Sequence, residues 1–168
     1  MSSVAVFLSS VVKPKTKTKN NTMSKTTTIK SVPIKDIQAL QAAVDELKAA
    51  GINCSLLQNA DCRLWYSTKK CDYVLSLPDC QFDLGIQKES DGSYSTVTDL
   101  HGGLVNGQIG ATCPVKDTDP NDLAIGRFMQ AYSKHATLNA VAAAGYSVSD
   151  LTFNPDTGEV TIEAMVMA

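Results

Sequence analysis

The last third of the chain constrains the fold most, because residues 119–166 predict one long helix followed by a hairpin. Residues 119–122 (DPND) are typical of a helix start, since Asp119 can accept hydrogen bonds from the first amides and Pro120 suits the first helical position. Apolar residues then recur at helical spacing over residues 123–144, and Gly145 can take the positive φ with which many helices end. We therefore expect an amphipathic helix with one buried face.

Two short β-rich segments, residues 147–153 and 159–166, follow this helix. The residues between them (NPDTG) favour a turn, and apolar residues alternate with polar ones in the second segment. In the first segment the apolar positions change parity, so the pattern predicts a hairpin with a bulge near Ser149 and Asp150.

The first half of the chain predicts a second helix and a series of strands. Residues 25–32 favour a strand that ends at Pro33, and residues 37–50 form a helical apolar pattern between a capping Asp36 and Gly51. The further strand candidates are residues 54–58, 62–67, 73–77, 82–88 and 94–100, with turns expected at 59–61, 67–70 and 90–93 and a glycine-rich loop at 101–118. The order β-α-β(several)-α-β-β predicts an α+β fold, in which both helices pack on one face of an antiparallel sheet.

The length and charge of the chain limit its organisation. With 168 residues we expect a single α+β domain over residues 23–168, preceded by residues 1–22 as a disordered leader or a transit-like tail. Outside that leader the chain has 11 basic and 17 acidic residues, a net charge of −6. This acidic net charge argues against sequence-independent nucleic-acid binding by residues 23–168. It leaves open a weak, salt-dependent nucleic-acid binding through the lysines of the tail.

The five cysteines favour neither a metal site nor a disulfide framework. Cys54, Cys62, Cys71, Cys80 and Cys113 include no closely spaced pair. Their number is odd, and several lie in strand-like segments where a small buried thiol fits. We expect an intracellular, reducing compartment, no metal, no organic cofactor and no transmembrane segment.

Several local patterns, taken in order, resemble one known family. The patterns are MS at residues 23–24 with TIK at 28–30, the helix with Leu40 and Leu47, FDLG at 82–85 before DGSY at 91–94, MQAY at 129–132, AGY at 144–146 and DTG at 156–158. Over residues 23–168 the chain resembles the hypothetical chloroplast reading frame thirty-five family of plastids and cyanobacteria. That family has no established activity, so the resemblance implies a compartment and a fold rather than a reaction. The compartment is the plastid stroma, or the cytoplasm of a cyanobacterium or of its phage-infected cell.

A few residues could carry chemistry. Asp99, His101 and Cys113 would suit a thiol-dependent or hydrolytic enzyme if the carboxylate orients the imidazole and the imidazole activates the thiol. The alternative is that these residues have no catalytic role, with His101 at the surface and Cys113 in a loop. Arg127 could pair with a partner carboxylate, or simply form a surface salt bridge.

The sequence thus predicts a non-catalytic protein. Trp65, Tyr66 and Tyr73 could stack on a base or on a partner chain, but in an acidic chain they are better suited to the core or to a protein interface. We expect a small accessory factor that binds an unidentified protein partner in a plastid or cyanobacterial setting. A thiol-dependent enzyme using Cys113 and His101 is the first alternative, and weak nucleic-acid binding is the second.

Overall fold

A five-stranded antiparallel sheet with two helices packed against it positions the candidate site. The computed structural model describes residues 4–7, 26–111, 124–154 and 160–166. The elements in chain order are β1 (Val4–Phe7), β2 (Thr26–Ile34), α1 (Ile37–Ala49), β3 (Ser55–Arg63), β4 (Thr68–Ser76), β5 (Leu84–Lys88), β6 (Tyr94–Asp99), a 3-10 turn (His101–Gly103), α2 (Leu104–Ile109), α3 (Gly126–Ala143), β7 (Tyr146–Phe153) and β8 (Val160–Val166).

The larger sheet has the strand order β2–β6–β5–β4–β3, and every neighbouring pair is antiparallel. The turn between β5 and β6 is the predicted one, since Gly92 has a φ of 84° and the Asp91 carboxylate accepts a hydrogen bond from the Ser93 amide. The predicted α+β class is confirmed.

The main core lies between this sheet and the helices α1 and α3. Its fully buried side chains come from both helices and from one sheet face, and they include Leu40, Val44, Leu47, Leu75, Leu84, Ile86 and Phe128. Each such side chain contributes about 1.5–3 kcal/mol relative to an exposed one, so burial on this face is the principal stabilising term. A second, smaller cluster, consisting of Cys62, Cys71, Val74 and Val97, is separate from it.

Helix α1 forms where it was predicted. Asp36 Oδ1 accepts hydrogen bonds from the amides of Gln38 (2.9 Å) and Ala39 (3.0 Å), and Gly51 follows the helix with a φ of 85°. The hydrogen bond from the Ala39 amide, followed by the one from the Asn139 side chain, is the leading reason why the pKa of Asp36 lies below its usual value.

Polar contacts join α1 to α3 at two levels. The Tyr132 hydroxyl accepts hydrogen bonds from the amides of Lys35 (2.7 Å) and Asp36 (3.1 Å), which lie just before α1. Near the other end of α1, the Glu46 carboxylate lies 2.8 Å from Nε2 of His135 in α3. Side chains from both helices therefore fix their relative rotation.

The predicted start of α3 is wrong within the described residues. The sequence predicted a helix from residue 123, whereas the helix begins at Gly126 with Ile125 as its N-cap at a φ of −122°. A Cβ on Gly126 would lie 2.7 Å from the Ala111 Cβ, so the chain approaches itself closely at this point. The predicted cap at residues 119–122 lies outside the described residues.

Two predicted strands are a single strand, so the expected turn at residues 59–61 is wrong. Pairing between β3 and β4 runs from Ser55 to Arg63 and continues on both sides of Asn59, which takes a φ of 50° inside the strand. An isolated left-handed asparagine kinks a strand without ending it. The turn that does form is at residues 64–67, where the Leu64 amide donates to the Ser67 carbonyl.

Two other boundaries differ from the prediction. Strand β2 continues past Pro33 to Ile34, which is compatible with its position at the edge of the sheet. The segment expected to be a loop from residue 101 contains the 3-10 turn and α2, whose Val105 and Ile109 are buried in the main core. Residues 112–118 of that segment lie outside the described residues.

The C-terminal hairpin belongs to a second sheet of order β1–β8–β7. Its predicted bulge is confirmed by a register shift between Val148 and Asp150. Residues 155–159 of the predicted turn lie outside the described residues. Strand β1 falls inside the expected leader, where no strand was predicted, and it pairs with β8.

Candidate functional site

The candidate residues Asp99 and His101 lie at the end of β6. Asp99 is 1% exposed, and its Oδ1 accepts a hydrogen bond from the His101 amide at 3.0 Å. The carboxylate therefore holds the backbone of the 3-10 turn that begins at His101. A side chain of this type commonly caps such a turn.

The His101 ring packs against Trp65. Their ring centroids are 4.1 Å apart with an interplanar angle of 50°. Trp65 also contacts the buried Phe82 at 5.6 Å and meets Tyr66 edge-on at 5.8 Å. These four rings, Trp65, Tyr66, Phe82 and His101, are called the aromatic end below.

The outer rings of the aromatic end are open to solvent. Tyr66 is 86% exposed and Trp65 is 37% exposed, and both lie in the turn between β3 and β4. Phe82 is buried, and its ring contacts the Trp65 indole on the side that faces the protein interior. Aromatic pairs of this geometry add about 0.5–1.5 kcal/mol beyond the area that they bury, so the rings support one another.

An ion pair at the base of this turn joins the end of β3 to the residue just before β5, with the Asp83 carboxylate buried and the Arg63 side chain 43% exposed. Arg63 Nε lies 2.8 Å from Asp83 Oδ2, and Arg63 Nη2 lies 2.7 Å from Asp83 Oδ1. The same guanidinium donates to the Leu77 carbonyl at 2.9 Å. This two-point geometry is specific to arginine, whose planar fork matches a carboxylate.

The Asp83 carboxylate is only 2% exposed and is saturated with donors. Besides the guanidinium, it accepts the amides of Leu77 (2.9 Å) and Arg63 (3.2 Å), while the Asp83 carbonyl accepts the Thr98 hydroxyl (2.8 Å). Burial raises the pKa of Asp83, but the hydrogen bonds from Arg63 and Leu77 outweigh it and hold the pKa below its usual value. Asp83 is therefore ionised and fixed at neutral pH.

Neither member of this pair was identified from the sequence. Residues 82–88 were predicted to be a strand, in which regular alternation would place Asp83 on the face opposite Phe82 and Leu84. Instead, Asp83 precedes the first residue of β5, and its amide donates to the Arg63 carbonyl at 3.1 Å. The available signal was an acidic residue between Phe82 and Leu84 in a chain with only two arginines.

The other candidate residues are not assembled around His101 in the described part of the chain. Arg127 is half-buried in the first turn of α3, a helix that packs on α1. Cys113 lies outside the described residues. Asp99 and His101 are thus neighbours at the aromatic end, and whether Cys113 joins them stays a prediction.

The four described thiols are buried and reduced. Burial is the largest cause of the raised pKa of Cys54, Cys71 and Cys80, and it raises the pKa of Cys62 to about 12. A thiol that is protonated and buried is a poor nucleophile. Over the described ranges, no group of three or more histidine, cysteine or acidic side chains is arranged to hold a metal ion.

In the described part of the chain there is also no helix that is both long enough and apolar enough to cross a membrane.

The Arg63–Asp83 pair makes a testable contribution to stability. We expect Asp83→Asn to lower the free energy of unfolding at neutral pH by about 2–4 kcal/mol, since it leaves the guanidinium and two amides poorly paired. Because the pKa of Asp83 is lower in the folded state, its contribution is present above the unfolded pKa of about 3.9 and is lost as the pH falls through the folded pKa. Urea unfolding at several pH values measures both effects.

The matched control is Asp61→Asn, because Asp61 is exposed and lies on β3, the strand that carries Arg63. It should change the free energy of unfolding by less than about 0.5 kcal/mol. Equal effects of the two substitutions, or an Asp83→Asn deficit that does not shrink in acid, would contradict the role assigned to the pair.

Comparison with known proteins adds no relative: no family model matches the chain, and neither a curated protein nor a solved structure does so.

Proposed function

We propose that this chain is a non-catalytic protein-binding accessory factor whose aromatic end contacts the partner. The observation that carries the proposal is the exposure of Tyr66 and Trp65 on a turn whose base is fixed by the two-point ion pair between Arg63 and Asp83. Tryptophan and tyrosine dominate binding energy at protein interfaces, because they bury a large area with few rotatable bonds.

The aromatic end is also pre-organised. The Trp65 ring contacts the rings of Phe82 and His101. Arg63, at the end of the strand that leads into the turn, forms an ion pair with Asp83. A ring that is already ordered loses little conformational entropy on binding, so more of its buried area contributes to affinity.

The acidic balance of the chain outside residues 1–22 favours a protein partner over nucleic acid. The alternative, weak nucleic-acid binding through the lysines of residues 1–22, would show a strong dependence on salt and would not use Tyr66.

The proposed setting is a plastid stroma or a cyanobacterial cytoplasm, as the resemblance of residues 23–168 to the chloroplast reading frame thirty-five family implies. Immunolocalisation of the full-length chain in its native cells should place it in one of these compartments. Accumulation in a secretory compartment would contradict this setting, and it would leave the binding surface itself untouched.

The aromatic end gives the main prediction for function. We expect Tyr66→Ala to reduce affinity for the partner at least about tenfold, because an exposed hot-spot tyrosine typically contributes more than 1 kcal/mol to binding. The readout is copurification from a native extract with the full-length chain as bait, followed by mass spectrometry and by titration of the partner.

Leu57→Ala is the matched control, since Leu57 is an exposed apolar residue near the other end of β3, and it should leave binding unchanged. A partner that is retained equally by wild type and by Tyr66→Ala would rule out the aromatic end as the binding surface.

The enzyme alternative makes a different prediction. If Cys113 were a nucleophile activated by His101, a thiol-reactive probe should label Cys113 much faster than it labels the four buried cysteines, and His101→Ala should slow that labelling. Under the binding proposal, His101→Ala leaves the labelling rate of Cys113 unchanged. Peptide mapping of the native protein after brief alkylation distinguishes the two outcomes.

A further inference from the structure

Among the residues that the structure describes, one edge of the second sheet has no further strand paired to it and carries a row of apolar residues. In its strand order β1–β8–β7, strand β7 is at the edge, and Val148, Leu151 and Phe153 are 41–50% exposed. Each of these residues stands directly opposite an apolar residue of β8, so the three share one face of the sheet: Val148 opposite Ala164, Leu151 opposite Ile162 and Phe153 opposite Val160. An apolar edge of this kind can pair with a further strand.

The opposite face of the same edge is acidic. Asp150 and Glu163 are exposed and directly opposite each other. Among the residues that the structure describes, no basic side chain lies within ion-pair distance of either carboxylate. Like charges in directly opposed positions destabilise a strand pair, and a nearby cation would relieve the repulsion.

We propose that β7 binds an extended segment of a partner protein in which apolar and basic side chains alternate, so that the segment becomes a fourth strand of this sheet. Successive residues of a strand point to opposite faces, so such a segment places apolar side chains beside Leu151 and Phe153 and basic ones beside Asp150. Glu163 lies on the same face one strand further on, in β8, so its carboxylate adds to the negative charge that a long basic side chain meets there. The pairing runs along Asp150 to Phe153, where β7 is in regular register with β8.

A second copy of this chain is a poorer occupant of the same edge. Antiparallel pairing of two β7 strands would bring two Asp150–Glu163 pairs onto one face, which gathers four carboxylates without a cation. Charge complementarity therefore favours a basic partner segment over self-association. This surface is distinct from the aromatic end and does not depend on it, because Trp65 and Tyr66 belong to the other sheet.

The test uses the full-length chain and a short fluorescent peptide, capped at both ends, in which valine and lysine alternate. Fluorescence anisotropy should show binding that weakens with salt, and hydrogen exchange should show protection of amides in residues 150–153. A peptide in which glutamate replaces each lysine is the matched control and should not bind.

The sharpest variant is the double charge reversal Asp150→Lys with Glu163→Lys, at two exposed positions that can be changed without disturbing the core. It should weaken the lysine peptide at least about fivefold and bind the glutamate peptide instead. Unchanged hydrogen-exchange protection of the β8 amides in the free variant verifies that the β7–β8 hairpin is folded.

The proposal is overturned if neither peptide binds the wild type, or if both bind it equally. It is also overturned if the charge reversal leaves the preference unchanged, or if sedimentation shows a dimer that Leu151→Lys dissociates, since the occupant would then be a second copy.

Discussion

The ion pair between Arg63 and the buried Asp83 carboxylate is the constraint on which the candidate site depends. Two segments that are 20 residues apart in sequence meet there, and the carboxylate is held by one side chain and two amides. Removing a carboxylate from water is costly, and a buried pair often stabilises a fold little more than apolar residues would. Its consequence here is geometric, because the contact requires one relative position of the end of β3 and the start of β5.

The aromatic end follows from that position. Trp65 lies two residues beyond Arg63, and Phe82 lies immediately before Asp83, so closing the ion pair brings indole and phenyl rings together. His101 reaches the same place from β6, where Asp99 holds its backbone. Arg63 and Asp83 are thus positioning residues, while the surface that we propose for the partner consists of Trp65 and Tyr66.

Sequence patterns predicted the parts of the fold that local chemistry determines. The helix at Asp36, the glycine turn at Gly92 and the bulge near Asp150 are set by residues within a few positions of one another. The patterns failed where distant segments decide. The residues around Asn59 were predicted to form a turn, because the pairing of this segment with β4 is a non-local contact that the local sequence does not show. Likewise, Gly126, where α3 begins, lies close to Ala111, which is distant in sequence.

The candidate site shows the same division. His101 was identified because chemically versatile residues are rare in this chain, but its packing on Trp65 is a tertiary contact between β6 and the β3–β4 turn. Asp83 was not singled out, because the strand predicted over residues 82–88 made it one polar residue of a regular alternation, whereas β5 begins only at Leu84. Protein binding at Trp65 or at the edge of β7, as we propose it, would not require a chemically reactive side chain.

Time-resolved fluorescence anisotropy of Trp65, compared between the wild type and Asp83→Asn, tests most directly whether the ion pair fixes the aromatic end. We predict that the wild-type indole rotates only with the whole protein, and that the variant gains a fast local component while α1 and α3 remain folded. A fast component in the wild type, or identical decays in the two proteins, would contradict this account.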